Sequence, residues 1–285
     1  MILPTGPHLT QGRINSRSRI TGSMTPPRLR DRPSRLLPGA TIGPDSPRRR
    51  DRLRPMGRMV VIRHSHEPLG RLAERLEHAE VEWDEVQVID GEPLPPADEV
   101  DALIIMGGRM GAYDTEEYPC LADEMRLARE LVERDVPMLG ICLGSQLLAA
   151  ALGGRAYLAD RPEVGAVRVK LTEAGYRHPV VSKVAGRRVF EMHEDTFDLP
   201  PGSVLLARSD RFPQAFSLGS ALAIQFHPEA HNSTANRWAE HGARDMVVRA
   251  GSNPEEYLAG MEDARSDLNH GSYQLFDAWI AGLDG

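Results

Sequence analysis

Val136-Pro-Met-Leu-Gly-Ile-Cys-Leu-Gly-Ser-Gln-Leu-Leu-Ala149 is the stretch that decides the fold of this chain. An apolar, strand-like run from Val136 to Ile141 turns over Cys142 and opens directly into an apolar helical pattern, Leu143–Leu152. Strand, sharp turn and helix in that order form a nucleophile elbow, here with cysteine at the turn instead of serine. A cysteine so placed sits at a helix N-terminus, whose partial positive charge favours the thiolate over the thiol. An isolated cysteine reads first as a small buried hydrophobe. The Gly-x-Cys-x-Gly setting of Gly140, Cys142 and Gly144 reverses that reading.

The segments before the elbow alternate in type. Met59–Arg63 and Trp83–Ile89 read as strands, and Ala102–Met106 is a continuous apolar run typical of a parallel strand buried on both faces. Pro68–Ala79, with Leu69, Leu72, Leu76 and Ala79 at helical spacing, reads as a helix, as does Tyr118–Glu133. Gly153-Gly154 ends the helix after the elbow. Short strands follow at Val164–Leu171, Arg188–Met192, Val204–Ala207, Gln214–Leu218 and Ala221–Phe226, and helical patterns at Ser233–Arg249, Leu258–Leu268 and Tyr273–Leu283. The expected fold class is α/β: a doubly wound, mostly parallel sheet flanked by helices, flavodoxin-like, with a β-rich second half.

Composition bounds the rest. The 285 residues suffice for a sizeable core. Two cysteines, Cys120 and Cys142, are too few for a disulfide scaffold, so a reducing cytoplasm is the expected home. There is no apolar run of about 18 residues, hence no expected membrane span. Residues 1–57 carry twelve arginines against Asp31, Asp45 and Asp51, a balance of +9 within a total of −7, which leaves −16 on the remainder. An acidic body argues against nucleic acid as its main partner. Rich in Arg, Pro, Ser and Gly, 1–57 is expected to be disordered. Three readings of it stay open: a translated upstream region with the start at Met56 or Met59, a basic tail, or a targeting peptide. The expected division is therefore 1–57 as this head, 58–250 as the main domain, and 251–285 as a helical extension packed on it.

Three separated places carry chemistry. The thiolate of Cys142 needs a base, and His227 in Gln225-Phe-His-Pro-Glu229 fits. Glu229, two residues on along an extended segment, emerges on the same side as His227 and serves as the orienting carboxylate. Pro228 restricts that segment. A tetrahedral oxyanion needs N–H donors: the Leu143 N–H after the nucleophile, and the Gly108 N–H in the Gly107-Gly108 turn after a neighbouring strand.

Gly140-Ile-Cys142-Leu-Gly144-Ser-Gln146 together with Gln225-Phe-His227-Pro-Glu229 resembles the class I glutamine amidotransferase family, and Met106-Gly107-Gly108-Arg-Met110 resembles its oxyanion loop. The resemblance runs from about Met59 to about Trp238. Within the family, Glu163-Val-Gly165, the phrase His193 to Gly202, and Gln214-Ala-Phe216 are similar to stand-alone relatives of the amidotransferase domain of GMP synthase. The resemblance implies that Cys142 attacks the side-chain amide of L-glutamine, that a γ-glutamyl thioester forms, and that His227, held by Glu229, moves the protons. It places Gln146 in the substrate pocket, and His193 and Asp195 against the amino-acid end of the substrate. Arg109 stands where many relatives have Pro, and Glu191-Met192 where many have an aromatic residue. With no room here for an ATP-pyrophosphatase domain, an ammonia-accepting synthetase would be a separate chain.

No cofactor or metal is expected, since neither cysteine has a second at ligand spacing. A homodimer stays open. The alternatives are a γ-glutamyl peptidase acting on γ-glutamyl peptides or conjugates, which the same triad serves, and an inactive regulatory relative. Cys120 reads as packing, Trp83 and Trp238 as core or interface, and His64, His66, His78 and His178 as solvated or locally bonded. His231 reads as surface, and Asp98–Asp101 and Asp114–Glu117 as a solvated face.

Overall fold

The computed structural model describes residues 57–241 and 244–283. Except for Gly57, the head expected over 1–57 lies outside them.

Five short strands build the parallel part of the sheet: β1 (Met59–Arg63), β2 (Trp83–Gln87), β3 (Ala102–Ile105), β4 (Met138–Ile141) and, late in the chain, β10 (Ala221–Ile224). β6 (Lys170–Leu171), β8 (Val204–Arg208) and β9 (Pro213–Leu218) extend it in antiparallel fashion. The resulting order is β2-β1-β3-β4-β10-β9-β8-β6, and the parallel half follows the doubly wound pattern expected. Strands β3, β4 and β10 are buried along their whole length, which is why they read as unbroken apolar runs.

Alternate side chains feed two cores. Met59, Val61, Ile104, Leu139 and Ile224 face one side, where they meet Leu72 and Leu76 of α1 (Arg71–His78) and Leu275, Phe276 and Trp279 of α8 (Arg265–Ala281). Val60, Ile62, Leu103, Ile105 and Met138 face the other, against Leu127 and Leu131 of α2 (Cys120–Glu133) and Leu147 and Leu148 of α3 (Leu143–Ala151). A small helix, α4 (Glu173–Arg177), begins on Thr172, whose side chain accepts from the Gly175 N–H. The remaining helices are α5 (Asn232–His241), α6 (Arg244–Arg249) and α7 (Pro254–Asp263). They close a third cluster with Phe190 and Met192.

Three of the departures from the sequence reading have a plain local cause. The second half holds a long two-stranded antiparallel arm, β5 (Arg155–Arg168) with β7 (Arg188–Asp198), outside the main sheet. The sequence reading found only Val164–Leu171 and Arg188–Met192. Proline at 162, glycine at 165 and a register shift between Leu158 and Glu163 break the alternation that would have revealed it. The helix expected over Pro68–Ala79 starts at Arg71, because Gly70 takes a left-handed φ of 57° and the Arg71 N–H is used by the Glu229 carbonyl oxygen at 2.9 Å. The helix expected from Leu258 starts at Pro254, since the Asn253 side chain accepts from the Glu255 and Glu256 N–H groups at 3.0 Å each. Among the described residues, no helix is long and apolar enough to cross a membrane.

Candidate active site

Cys142 closes the turn between β4 and α3 with φ 51° and ψ −109°, a conformation that side chains rarely adopt. Its N–H is bound to the Ile224 carbonyl of the neighbouring strand at 2.9 Å. Its own carbonyl accepts from the Ser145 N–H at 2.9 Å and from the Ser145 hydroxyl at 2.6 Å. The strain is thus held by the adjoining strand and helix. Two glycines permit the close packing beneath it: a Cβ at Gly144 would lie 2.1 Å from the Ile105 carbonyl oxygen, and one at Gly140 2.5 Å from the Gly144 oxygen.

His227 follows β10 and is buried. Its Nδ1 lies 2.7 Å from Oε1 of Glu229, and Cys142 is close enough to the ring to act on its protonation. The ring packs in a triangle with Trp238, at 5.2 Å between centroids, and Phe190, at 5.8 Å, and the His227 backbone N–H donates to the Phe190 carbonyl at 2.8 Å. Burial disfavours the imidazolium, but the Glu229 carboxylate and the Cys142 sulfur outweigh it and hold the His227 pKa well above the usual histidine range. A buried imidazole held by a carboxylate on one nitrogen and facing a sulfur on the other is what acyl transfer to a thiol requires.

The Gly107-Gly108 turn lies directly over this group. A Cβ at Gly107 would stand 3.1 Å from His227 Cε1 and 3.5 Å from Cys142 Cβ, and one at Gly108 2.6 Å from Leu143 Cδ2. The turn and the Leu143 side chain at the start of α3 are therefore packed together. A cavity of about 320 Å³ opens here, lined among others by Cys142, Gln146, Asp195, His227 and Trp238.

Gln146 is buried, and its amide nitrogen donates to the Asp195 carbonyl at 3.2 Å and the Gln225 side-chain oxygen at 3.3 Å. Asp195 lies on β7 and accepts from the Tyr113 hydroxyl at 2.8 Å. Burial raises the Asp195 carboxyl, with the Tyr113 bond pulling the other way, and the Tyr113 hydroxyl is pushed up to about 12. His193 also lies on β7, but its ring is committed inward. Nδ1 meets the Asp195 carbonyl oxygen at 2.8 Å, and Nε2 faces Glu163 and Glu191 at 3.4 Å each. Burial and the neighbouring Glu163 hold the Glu191 carboxyl well above the usual range.

Several neighbours of the site escaped the sequence reading. His64, expected to be solvated or locally bonded, is buried, with Nε2 3.0 Å from both oxygens of Glu124 on α2. Sixty residues separate the pair, and no local pattern joins them. Trp238 packs on the third cluster, as a core reading expects, and its ring also lies against His227. His178 is locally bonded as expected, its Nδ1 accepting from the Val180 and Val181 N–H groups at 3.3 Å. His231 is partly exposed, 3.1 Å from Glu74.

The family description "Glutamine amidotransferase class-I" matches residues 69–244. This chain belongs to the class I glutamine amidotransferase family. The chain is 33% identical over 179 residues to the glutamine amidotransferase-like protein YfeJ of Salmonella typhimurium, covering 60% of this chain and 74% of that one. It is 38% identical over 130 residues to a glutamine-hydrolysing GMP synthase of Thermomicrobium roseum, but spans only 23% of that protein's length. A γ-glutamyl-L-1-hydroxyisopropylamide hydrolase of a Pseudomonas species is 28% identical over 163 residues, 55% of its length. Among solved structures, a glutamine amidotransferase from Thermotoga maritima superposes with a TM-score of 0.67 at 31% identity, covering 79% of this chain and 98% of that one.

Proposed function

We propose that this amidotransferase-family chain hydrolyses the side-chain amide of L-glutamine through Cys142, His227 and Glu229. The observation that carries the reading is the placement of one buried imidazole between a strained elbow cysteine and a carboxylate 2.7 Å away. In this reading the Cys142 thiolate attacks the amide carbon, and the C=O π electrons move to oxygen. The oxyanion is met by the Leu143 and Gly108 N–H groups. The C–N bond then breaks, the nitrogen takes its proton from His227, and ammonia leaves a γ-glutamyl thioester. His227, now neutral, removes a proton from water, the hydroxide attacks the thioester, and glutamate departs as the thiolate re-forms. Glu229 keeps Nδ1 protonated and the ring aimed at sulfur.

Asp195 would face the amino group of the substrate. Gln146 would brace that strand segment through the Asp195 carbonyl and form part of the pocket wall, and His193 would act through Asp195 by holding the same carbonyl. An ammonia-accepting synthetase as partner is supported by the similarity to GMP synthases.

A second reading, hydrolysis of γ-glutamyl amides or peptides, is favoured by the cavity. Its roughly 320 Å³ extends past the triad to Arg63, Met246 and Thr234. That is the size of pockets that hold drug-sized ligands, about 300–1,000 Å³, and leaves space for a leaving group larger than ammonia. The deciding experiment is release of ammonia and glutamate from L-glutamine by the purified chain, beside γ-glutamyl amides and peptides, with Cys142→Ala as control. Cys142-dependent turnover of glutamine supports the first reading, and turnover of the larger amides alone supports the second. Turnover that survives Cys142→Ala overturns both.

A further inference from the structure

Behind His193, beside the triad, the ring nitrogen Nε2 and the carboxyl groups of Glu163 and Glu191 converge. His193 Nδ1 lies 2.8 Å from the Asp195 carbonyl oxygen, a partner that only accepts, so Nδ1 carries the proton. In the neutral ring Nε2 is then a bare lone pair. It points at Oε2 of Glu163 and Oε2 of Glu191, each 3.4 Å away. The His193 Nε2 and both Glu191 oxygens are buried without a hydrogen-bond partner, in side chains 1% and 0% exposed. Buried polar atoms are rarely left so. A cation centred among the three groups would partner all of them.

The spacing indicates what kind. A charge-assisted N–H···O bond closes to about 2.7–2.9 Å, shorter than either contact here. Ligands at about 2.1 Å from a tetrahedral zinc ion stand about 3.4 Å apart, for imidazole nitrogen and carboxylate oxygen alike. The three ligand atoms, one each from Glu163, Glu191 and His193, all lie within 4.8 Å of one another. The outer contacts are those a metal site uses to orient its ligands. His193 binds the Asp195 carbonyl through its other nitrogen, and Gln214 donates to Glu163 Oε2 at 2.7 Å. Glu163 is delivered to this point by the β-bulge between Leu158 and Glu163, a device that re-aims side chains.

We propose that Glu163, Glu191 and His193 form a buried structural zinc site that ties β5 to β7 and steadies Asp195 at the cavity wall. The imidazole among the ligands favours zinc over magnesium or calcium, which prefer oxygen alone. No cysteine takes part, so cysteine spacing carries no trace of the site.

The test is metal analysis of the full chain, purified without a histidine tag, as wild type and as Cys142→Ala. The alanine variant removes the reactive thiol as a competing zinc ligand. The expected result is about one zinc per chain in both, after gel filtration or after incubation with zinc chloride. X-ray absorption should show a nitrogen/oxygen shell at about 2.0–2.1 Å, with imidazole scattering and no sulfur. Glu191→Gln, which keeps the volume and removes the charge, should reduce the zinc at least tenfold. Zinc should raise the melting temperature of Cys142→Ala and leave that of Glu191→Gln unmoved. A chain free of metal after zinc incubation overturns the proposal, as does a sulfur shell or full zinc retention in Glu191→Gln. Stoichiometric manganese or iron with the same nitrogen/oxygen shell overturns the choice of zinc. If Glu191→Gln does not fold, the wild-type content and absorption shell still decide.

Discussion

Gly107→Ala isolates the position of the imidazole from everything else in the site. Gly107 does not occupy the left-handed region, so alanine brings no backbone strain, only a methyl group. That methyl would stand 3.1 Å from His227 Cε1, where ordinary contact begins at 3.4 Å. The ring cannot retreat freely, because Trp238 and Phe190 pack against it at 5.2 and 5.8 Å and Glu229 holds Nδ1 at 2.7 Å. A displacement of about 0.3–0.5 Å is therefore forced. A misplacement of 1 Å costs on the order of 100-fold in rate, so the expected loss in kcat is about tenfold, about 1.4 kcal/mol in the barrier. Overpacking one methyl should cost about 1 kcal/mol of stability or slightly more. The assay is steady-state glutamate release together with urea unfolding, and KM should change little. A kcat within twofold of wild type would refute the argument that this contact sets the ring. Gly144→Ala is the contrast: its methyl would meet backbone oxygen at 2.1 Å, so it should fail in stability before rate.

Cys142→Gly should abolish turnover yet gain about 1 kcal/mol in urea unfolding, because glycine adopts φ 51° without the strain; an unchanged midpoint would contradict it. The raised His227 pKa makes folding proton-dependent in one direction. Its contribution is full below the ordinary value of about 6.5 and is lost as pH rises through the higher folded value, so melting temperature should decline on the alkaline side. Glu229→Gln should flatten that decline and lower kcat by about 10²–10⁴-fold, read from pH-dependent melting and kinetics. Glu124→Ala leaves buried His64 without its partner and should cost about 1–3 kcal/mol in urea unfolding; a loss under 0.5 kcal/mol would show the pair to be idle.

What the sequence made legible was whatever is local. The elbow spans a few residues, and strand, turn and helix each leave their own periodicity there. His227 and Glu229 share a tripeptide. β3, β4 and β10 are buried on both faces and read as continuous apolar runs. The β5–β7 arm was half hidden because β5 is partly exposed and interrupted by Pro162, Gly165 and a bulge. The His64–Glu124 pair and the packing of Trp238 on His227 depend on tertiary folding alone. Glu191 stood out only as an odd residue before His193; its convergence with Glu163 across the arm had no signature.

One contact joins the ends of the folded chain. The loop carrying Glu229 is fixed by the Arg71 backbone N–H at 2.9 Å and by the Arg71 guanidinium, which binds the Ala230 carbonyl. That buried guanidinium is in turn held by Asn269 and lies 5.9 Å from the Tyr273 ring, both on α8. A helix that supplies no catalytic group thus holds the loop that carries the carboxylate, so the two chemical motifs depend for their alignment on a segment that belongs to neither.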